Sequence, residues 1–347
     1  MIDDLVTKSA KWLDGKGPDA ELVLSSRVRL ARNLTNYPFV HRAKIDQLRG
    51  VGTAVKRSLR KTGHLKQAMM VELHSLPPLD RHLLVERHLI SHDMTGQTKG
   101  RLLILSENEE LTIIVNEEDH LRLQAFTSGL DLYQAYALTD RVDSELASEL
   151  DYAFSDSFGY LTACPTNVGT GMRASVLLHL PALVLTKEID KILRAVAQLG
   201  ISVRGLYGEG TEVKGNFFQI SNQITLGKKE EDILSELEKI VRDVITYEQG
   251  ARETMLKDAR AFLEDKIFRA YGIIKNARIL TSDEVINLLS AVRLGIGLRL
   301  IDSVSIGTLN ELLIFAQPAH LQRLYGKEMS TDERDIARAN YVRERVL

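Results

Sequence analysis

The stretch Cys164-Pro165-Thr166-Asn167-Val168-Gly169-Thr170-Gly171-Met172-Arg173-Ala174-Ser175 joins the only cysteine of the chain to an arginine through a Pro/Asn/Gly turn. The run before it, Gly159–Cys164, has strand character, and Arg173 is expected to stand at the start of a helical run. A cysteine near cationic groups acquires thiolate character. A buried, inert thiol is the plain alternative.

Three other segments share this concentration of charge. In Ser25-Ser26-Arg27-Val28-Arg29-Leu30-Ala31-Arg32, Arg27 and Arg29 are two apart at the end of a strand, so both point to one face. Two guanidinium groups on one face repel unless an anion or carboxylate lies between them, and arginine binds phosphate bidentately at any working pH. A salt-bridged surface strand would look the same. In Val115-Asn116-Glu117-Glu118-Asp119-His120-Leu121-Arg122, three carboxylates in a row follow an apolar strand. Packed acids shift one another's pKa and make one of them a candidate base; the alternative is a solvated acidic turn. In Arg204-Gly205-Leu206-Tyr207-Gly208-Glu209-Gly210-Thr211-Glu212, glycines allow close approach of the backbone to a ligand, and an ordinary hairpin loop is the competing reading. The four segments converge on one chemistry: arginines for a polyphosphate, carboxylates and a thiolate for a cation. Phosphoryl transfer needs that electrostatics, because little covalent work is left to the protein.

The rest of the chain supplies the frame. With 347 residues, 44% of them hydrophobic, it can bury a sizeable core and two domains. Its 45 Lys+Arg against 47 Asp+Glu leave a net charge of −2, which gives no general attraction to nucleic acid or to an anionic membrane. The basic stretch Arg49–Lys66 is a weak exception. The single cysteine fits a reducing compartment. Met1–Gly15 has no apolar core of a signal peptide, and the most apolar run, Leu177–Leu185, is far short of the ~20 residues of a membrane span. The chain therefore reads as soluble and cytoplasmic. No P-loop, His-Arg-Asp loop or Asp-Phe-Gly is present; Asp156-Ser157-Phe158-Gly159 only looks similar, and Gly208-Glu209-Gly210 lacks the third glycine of a dinucleotide fingerprint.

Short strands are expected at Glu21–Ser25, Ala68–Leu73, Leu102–Leu105, Leu111–Val115, Gly159–Cys164, Ile201–Arg204 and Phe217–Ile220, with Ser106–Glu110 turning a hairpin. This is an α+β pattern: an antiparallel sheet with helices on it. After residue 228 helical spacing takes over, and 233–269 could be one long helix. Thr281/Glu284, Thr308/Glu311 and Ser330/Glu333 fit capping boxes, and Pro318 should separate two helices. The expected division is a catalytic domain at 1–254 and an all-helical domain at 255–347.

At the four charged segments, in this order and spacing, the chain resembles the phosphagen (guanidino) kinase superfamily. The matching motifs are Ser-Ser-Arg-Val-Arg, Asn-Glu-Glu-Asp-His-Leu-Arg, Cys-Pro-Thr-Asn-x-Gly-Thr-x-x-Arg-Ala-Ser and Arg-Gly-x-x-Gly-Glu, within roughly residues 20–250. The resemblance implies a phosphagen-kinase-type fold, ATP and Mg²⁺. Arg27, Arg29, Arg122, Arg173 and Arg204 match the phosphate-cradling arginines, and His88 matches a nucleotide-contacting histidine. Nucleotide contacts are implied along Ser25, Ser26, Arg27, Val28 and Arg29. They are implied too along Arg173, Ala174, Ser175, Val176 and Leu177, and along Arg204, Gly205, Leu206, Tyr207, Gly208 and Glu209. Glu118 and Glu209 match the guanidinium-clamping carboxylates and Cys164 the thiolate beside them; no protein-held metal site is implied.

Small-molecule members carry a helical domain ahead of the Ser-Arg-Val-Arg strand, and here that strand stands close to Met1. The guanidino site is therefore expected to be open to a side chain on a protein. The added C-terminal helices are similar to those of the bacterial members that phosphorylate arginine side chains of proteins. There the motif Arg334-Asp335-Ile336-Ala337-Arg338-Ala339 forms a phosphoarginine-binding, regulatory pocket, and Arg334 and Arg338 share a helix face. A solvated helix face is the alternative. The same resemblance implies stress response, marking of proteins for Clp degradation, homodimerisation, and a heat-shock repressor, a zinc-binding activator and a Clp ATPase as partners. A free-arginine kinase and a non-catalytic phosphoarginine reader are the competing functions.

Overall fold

Alternate side chains of β1 (Val23–Arg32) divide between a buried face and a face that carries arginine. This strand is the spine of an eight-stranded antiparallel sheet in a computed structural model describing residues 2–61, 63, 65, 67–205 and 214–346. The other strands are β2 (Met69–Glu72), β3 (Leu102–Leu105), β4 (Leu111–Val115), β5 (Leu121–Ser128), β8 (Met172–His179), β9 (Ile201–Arg204) and β10 (Phe217–Asn222), in the order β2-β3-β4-β5-β1-β8-β10-β9. A small hairpin, β6 (Phe154–Ser155) and β7 (Gly159–Tyr160), stands apart. The hairpin expected between β3 and β4 is formed.

Around the sheet lie α1 (Ile2–Thr7), α2 (Ile45–Leu59), α3 (Pro78–Glu86), α4 (Leu132–Ala147), α5 (Pro181–Leu185) and α6 (Ile189–Gln198). The C-terminal helices are α7 (Glu230–Asp258), α8 (Arg260–Asn276), α9 (Ser282–Gly297), α10 (Ile306–Phe315), α11 (Pro318–Leu324) and α12 (Thr331–Val346). α4 packs on β1 and β5, and α7 on β8 and β10. The long helical stretch after residue 230 is interrupted at Ala259, and α7 runs across the expected boundary at 254. Thr281 caps α9 through Glu284 N–H, Ser330 and Glu333 cap each other's backbone at the start of α12, and Pro318 opens α11. At α10 the cap is Ser305, which accepts from Thr308 N–H, so Thr308 lies inside the helix rather than at its entrance.

Three other local expectations are corrected. Of Gly159–Cys164 only Gly159 and Tyr160 pair as strand, and Cys164 stands at the entrance to a single 3-10 turn, Pro165–Asn167. The run after Arg173 is not helical. It is the central strand β8, held between β1 and β10, with Ala174, Val176 and Leu178 fully buried. Leu121–Ser128, for which no strand is expected, pairs with β1 over its whole length.

One continuous core joins the sheet to the C-terminal helices. Arg293 of α9, buried, donates to the carbonyls of Ala20 and Glu21 ahead of β1 and to Asn310 Oδ1 of α10 at 2.6 Å. Asn310 in turn donates to Leu13 O at 3.1 Å. Among the described residues no helix is long and apolar enough to cross a membrane.

Candidate active site

The sheet register gathers the arginines. In an antiparallel pair, directly opposed residues point to the same face. Arg29 stands opposite Arg173, and Ala31 opposite Arg122. Ser25 leads across Leu177 and Gln219 to Arg204. Alternation along β1 puts 25, 27, 29 and 31 on one side, so all five predicted arginines share one face of four strands. Arg27 donates to Ser175 Oγ and Gln219 Oε1, Arg173 to Ser221 Oγ, and Arg204 to Ser202 Oγ.

So many like charges under partial burial oppose one another. Burial, then Arg122, Arg173 and Arg204, hold the Arg27 guanidinium down to about 9. Arg29 is lowered by burial and by Arg27, Arg122 and Arg173, with Glu117 opposing. Glu117 is ion-paired to Arg122 and is a counter-charge that the four sequence segments do not single out. Nε of Arg29 and Nε of Arg122 are buried with no hydrogen-bond partner among the described residues. Buried donors left unmet cost free energy, and both belong to residues of the arginine face. A polyphosphate is the ligand that would satisfy them.

Beside this face lies a cleft lined by Trp12, Ser25, Arg27, His88, Phe126, Ser175, Leu177 and Gln219. Trp12 stacks on Phe126 at 5.0 Å, and the Arg27 guanidinium lies 5.4 Å from the same ring's centre. Burial, then Arg27, depress His88 to about 3, so its imidazole is neutral at working pH. Trp12 and Phe126 carried no motif; only their position relative to the arginine strands places them here.

The acid and thiol segments meet at Asp119. This buried carboxylate accepts from Asn33 Nδ2 and from Ala163 N–H, both at 2.6 Å. Its neighbours in sequence are Glu118, which is exposed, and, across the bond to Ala163, Cys164, which is half-buried. His120 completes the clamp: Nδ1 accepts from Leu34 N–H, Nε2 donates to Pro38 O, and its own N–H donates to Asn33 Oδ1. Thr166 Oγ1 is 3.0 Å from Cys164 Sγ.

The remaining predicted residues divide by face. Ser26, Val28, Ala174 and Val176 point into the core, with Ser26 Oγ donating to Gly129 O at 2.8 Å, so only their backbones border the arginine face. Ser175 and Leu177 lie on the arginine face, and Gly205 is buried just beyond β9. Leu206, Tyr207, Gly208 and Glu209 lie outside the described residues. In α12, Arg338 is not a solvated arginine. It is 1% exposed and donates to Ala316 O and Leu280 O at 2.8 and 2.9 Å, besides pairing with Asp335. Arg334 is half-buried and donates to Met329 O and Thr331 Oγ1, and Ala339 is fully buried. Glu86 lies near both arginines.

An antiparallel sheet with an arginine face beside a carboxylate and thiol rim defines the phosphagen-kinase class of ATP:guanidino phosphotransferases. The family described as ATP:guanido phosphotransferase, C-terminal catalytic domain, matches residues 50–251, and the protein-arginine kinase McsB C-terminal domain matches residues 260–347. The protein-arginine kinase of Symbiobacterium thermophilum is 46% identical over 348 residues, covering 99% of both chains. That of Moorella thermoacetica is 47% identical over 343 residues, 97% of each. Among solved structures, the duplicated taurocyamine kinase of Schistosoma mansoni is similar over 68% of this chain with TM-score 0.62 and 28% identity; the match spans 34% of that longer chain. The chain belongs to the protein-arginine kinase family, and its activity is ATP:protein-arginine phosphotransfer.

Proposed function

We propose that the arginine face holds the phosphates of ATP while Glu118 and Cys164, with Glu209, hold the guanidinium of an arginine on a protein substrate. The observation that supports this most is the pair of buried, unmet Nε donors on Arg29 and Arg122, in a face shared by five arginines. Arginine is a poor nucleophile because its guanidinium is protonated. Glu118 accepts the proton as a terminal guanidino nitrogen attacks the γ-phosphorus. The N–P bond forms, the P–O bond to ADP breaks, and ADP leaves with that electron pair. Glu209 grips the other side of the guanidinium fork, and Cys164 adds local negative potential. The arginines meet the charge spread over the transferred group.

Mg²⁺ suits this donor set. It keeps several waters and would be held through the substrate's phosphates rather than by a dedicated protein cage, which leaves Glu118 to the guanidinium and Glu117 to Arg122. When bound, it would neutralise phosphate charge.

The further reading is regulatory and cellular. Arg334, Asp335, Arg338 and Ala339 form a phosphoarginine-responsive element, and the enzyme works in the cytoplasm as a homodimer. Marking of damaged proteins for a Clp ATPase, with a heat-shock repressor and a zinc-binding activator as partners, is the corresponding stress role. The deciding experiment is incubation with Mg-ATP and an arginine-rich protein, followed by mass spectrometry under non-acidic conditions. Acid-labile phosphate on arginine, lost in E118A, supports the site assignment; undiminished phosphorylation by E118A would remove it.

A further inference from the structure

Phe154 and Phe158 on the β6–β7 hairpin are each 56% exposed, and Leu226 is 51% exposed. With Tyr160, Lys228 and Glu230 they line an open cleft of about 240 Å³. Aromatic and aliphatic side chains left together at a surface mark an interaction site more often than isolated ones do. The position of this cleft relative to Cys164 indicates what occupies it. Tyr160 and Gly169 exchange backbone hydrogen bonds at 2.8 and 3.3 Å, closing the base of the loop that carries Cys164. From the other side Thr225, next to Leu226, donates its hydroxyl to Thr166 O and Val168 O at 3.0 and 2.7 Å. The same Thr166 touches the thiol. The cleft, aromatic at the hairpin and charged at Lys228 and Glu230, thus borders the loop that carries Cys164.

We propose that this cleft is a docking surface for the protein substrate, receiving an apolar side chain near the target arginine in an extended segment. The inference rests on the reading that Cys164 borders the guanidinium site. Tyr160 and Cys164 are four residues apart, so their Cα atoms lie within about 14 Å. An extended substrate covers that span in roughly three to five residues. Gly159 keeps the hairpin close to the loop: its φ is +76°, and a Cβ there would lie 2.5 Å from Gly169 O. The surface would confer preference on a substrate whose arginine is otherwise recognised by one side chain alone.

The test compares two arginine peptides, one with Phe or Leu three to five residues from the arginine on either side, the other with Gly and Ser there. Wild type should use the apolar peptide with a KM about tenfold lower, the scale of one buried aromatic anchor, at similar kcat. F154S/F158S should abolish that advantage and leave the Gly/Ser peptide unchanged, with ADP binding and melting temperature retained. Equal use of both peptides by wild type, or equal loss on both by the variant, overturns the proposal. A change in sedimentation with peptide preference intact would assign the surface to a second copy and overturn it too. If the double variant melts early, the wild-type preference and the single F158S variant decide. Failure of the underlying site reading would show separately, as E118A that still phosphorylates either peptide.

Discussion

Arg29 and Arg173 face each other across two strands, an arrangement that like charges oppose unless something negative is to lie between them. Glu117 supplies part of that negative charge at Arg122. The residues with the largest expected effect on turnover are therefore those that meet the reacting groups. R173A and E118A should stay folded yet lose about 10³–10⁵-fold and 10²–10⁴-fold in kcat. Phosphoarginine formation by mass spectrometry, beside an unchanged melting curve, checks both. C164S should lose less, because its role is electrostatic and shared. Arg27 and Arg29 were legible as a same-face pair because that spacing is a property of strands; Arg122, Arg173 and Arg204 came only from the family motifs, and the strand that holds Arg173 was expected to be a helix. Glu118 stood out only as part of a charged run and Cys164 only as a lone thiol; their roles come from the family motifs. The job of Asp119, accepting from Asn33 and Ala163, was not legible, because its partners lie 86 and 44 residues away.

At the scale of elements, β8 shows where periodicity stops being informative. Its residues Ala174–Leu178 form a short, almost unbroken apolar run, which does not distinguish a central strand from a buried helix. Pairing on both sides decided it. β5 did alternate, with Leu121, Leu123 and Ala125 buried against the core, but the acidic turn before it drew the reading away from a strand. α11 is held by contacts remote in sequence. Glu86 accepts from Ala319 and His320 N–H at 2.7 and 2.8 Å, and burial raises its carboxyl to about 7 against those two bonds. E86Q replaces one acceptor by a donor and should cost about 1–3 kcal/mol in chemical denaturation.

His320, stacked on Phe315 at 4.3 Å and donating to Val6 O, is depressed from 6.5 to about 3 by burial and then Arg87. The folded state therefore keeps this ring neutral while the unfolded chain protonates below pH 6.5. The stability it contributes is present above 6.5 and lost as pH falls toward 3. H320Q should be less stable than wild type at pH 8, and the gap in melting temperature should narrow steadily below pH 6.5. A gap independent of pH would contradict the neutral, buried ring.

Among the described residues, the larger of two apolar clusters runs from the sheet into the C-terminal helices, so the sheet and those helices should unfold together. Arg293 bonds from the helices to Ala20 and Glu21 ahead of β1, and within the helices to Asn310, and burial lowers its guanidinium to about 9. R293M should lower the midpoint of a single calorimetric transition by an amount equivalent to about 1–3 kcal/mol, the scale of leaving buried carbonyl and amide acceptors unmet. Two separated transitions in wild type would show instead that the helical region melts on its own. The arginine face extends this argument to the surrounding solution. Any multivalent anion that settles among those guanidinium groups binds the folded chain alone, so it shifts the folding equilibrium by mass action. Sulfate or pyrophosphate in the buffer should therefore raise the melting temperature well beyond what chloride does at equal ionic strength, and R27A/R29A should erase most of that difference. The choice of storage salt would then act on this protein much as a ligand does.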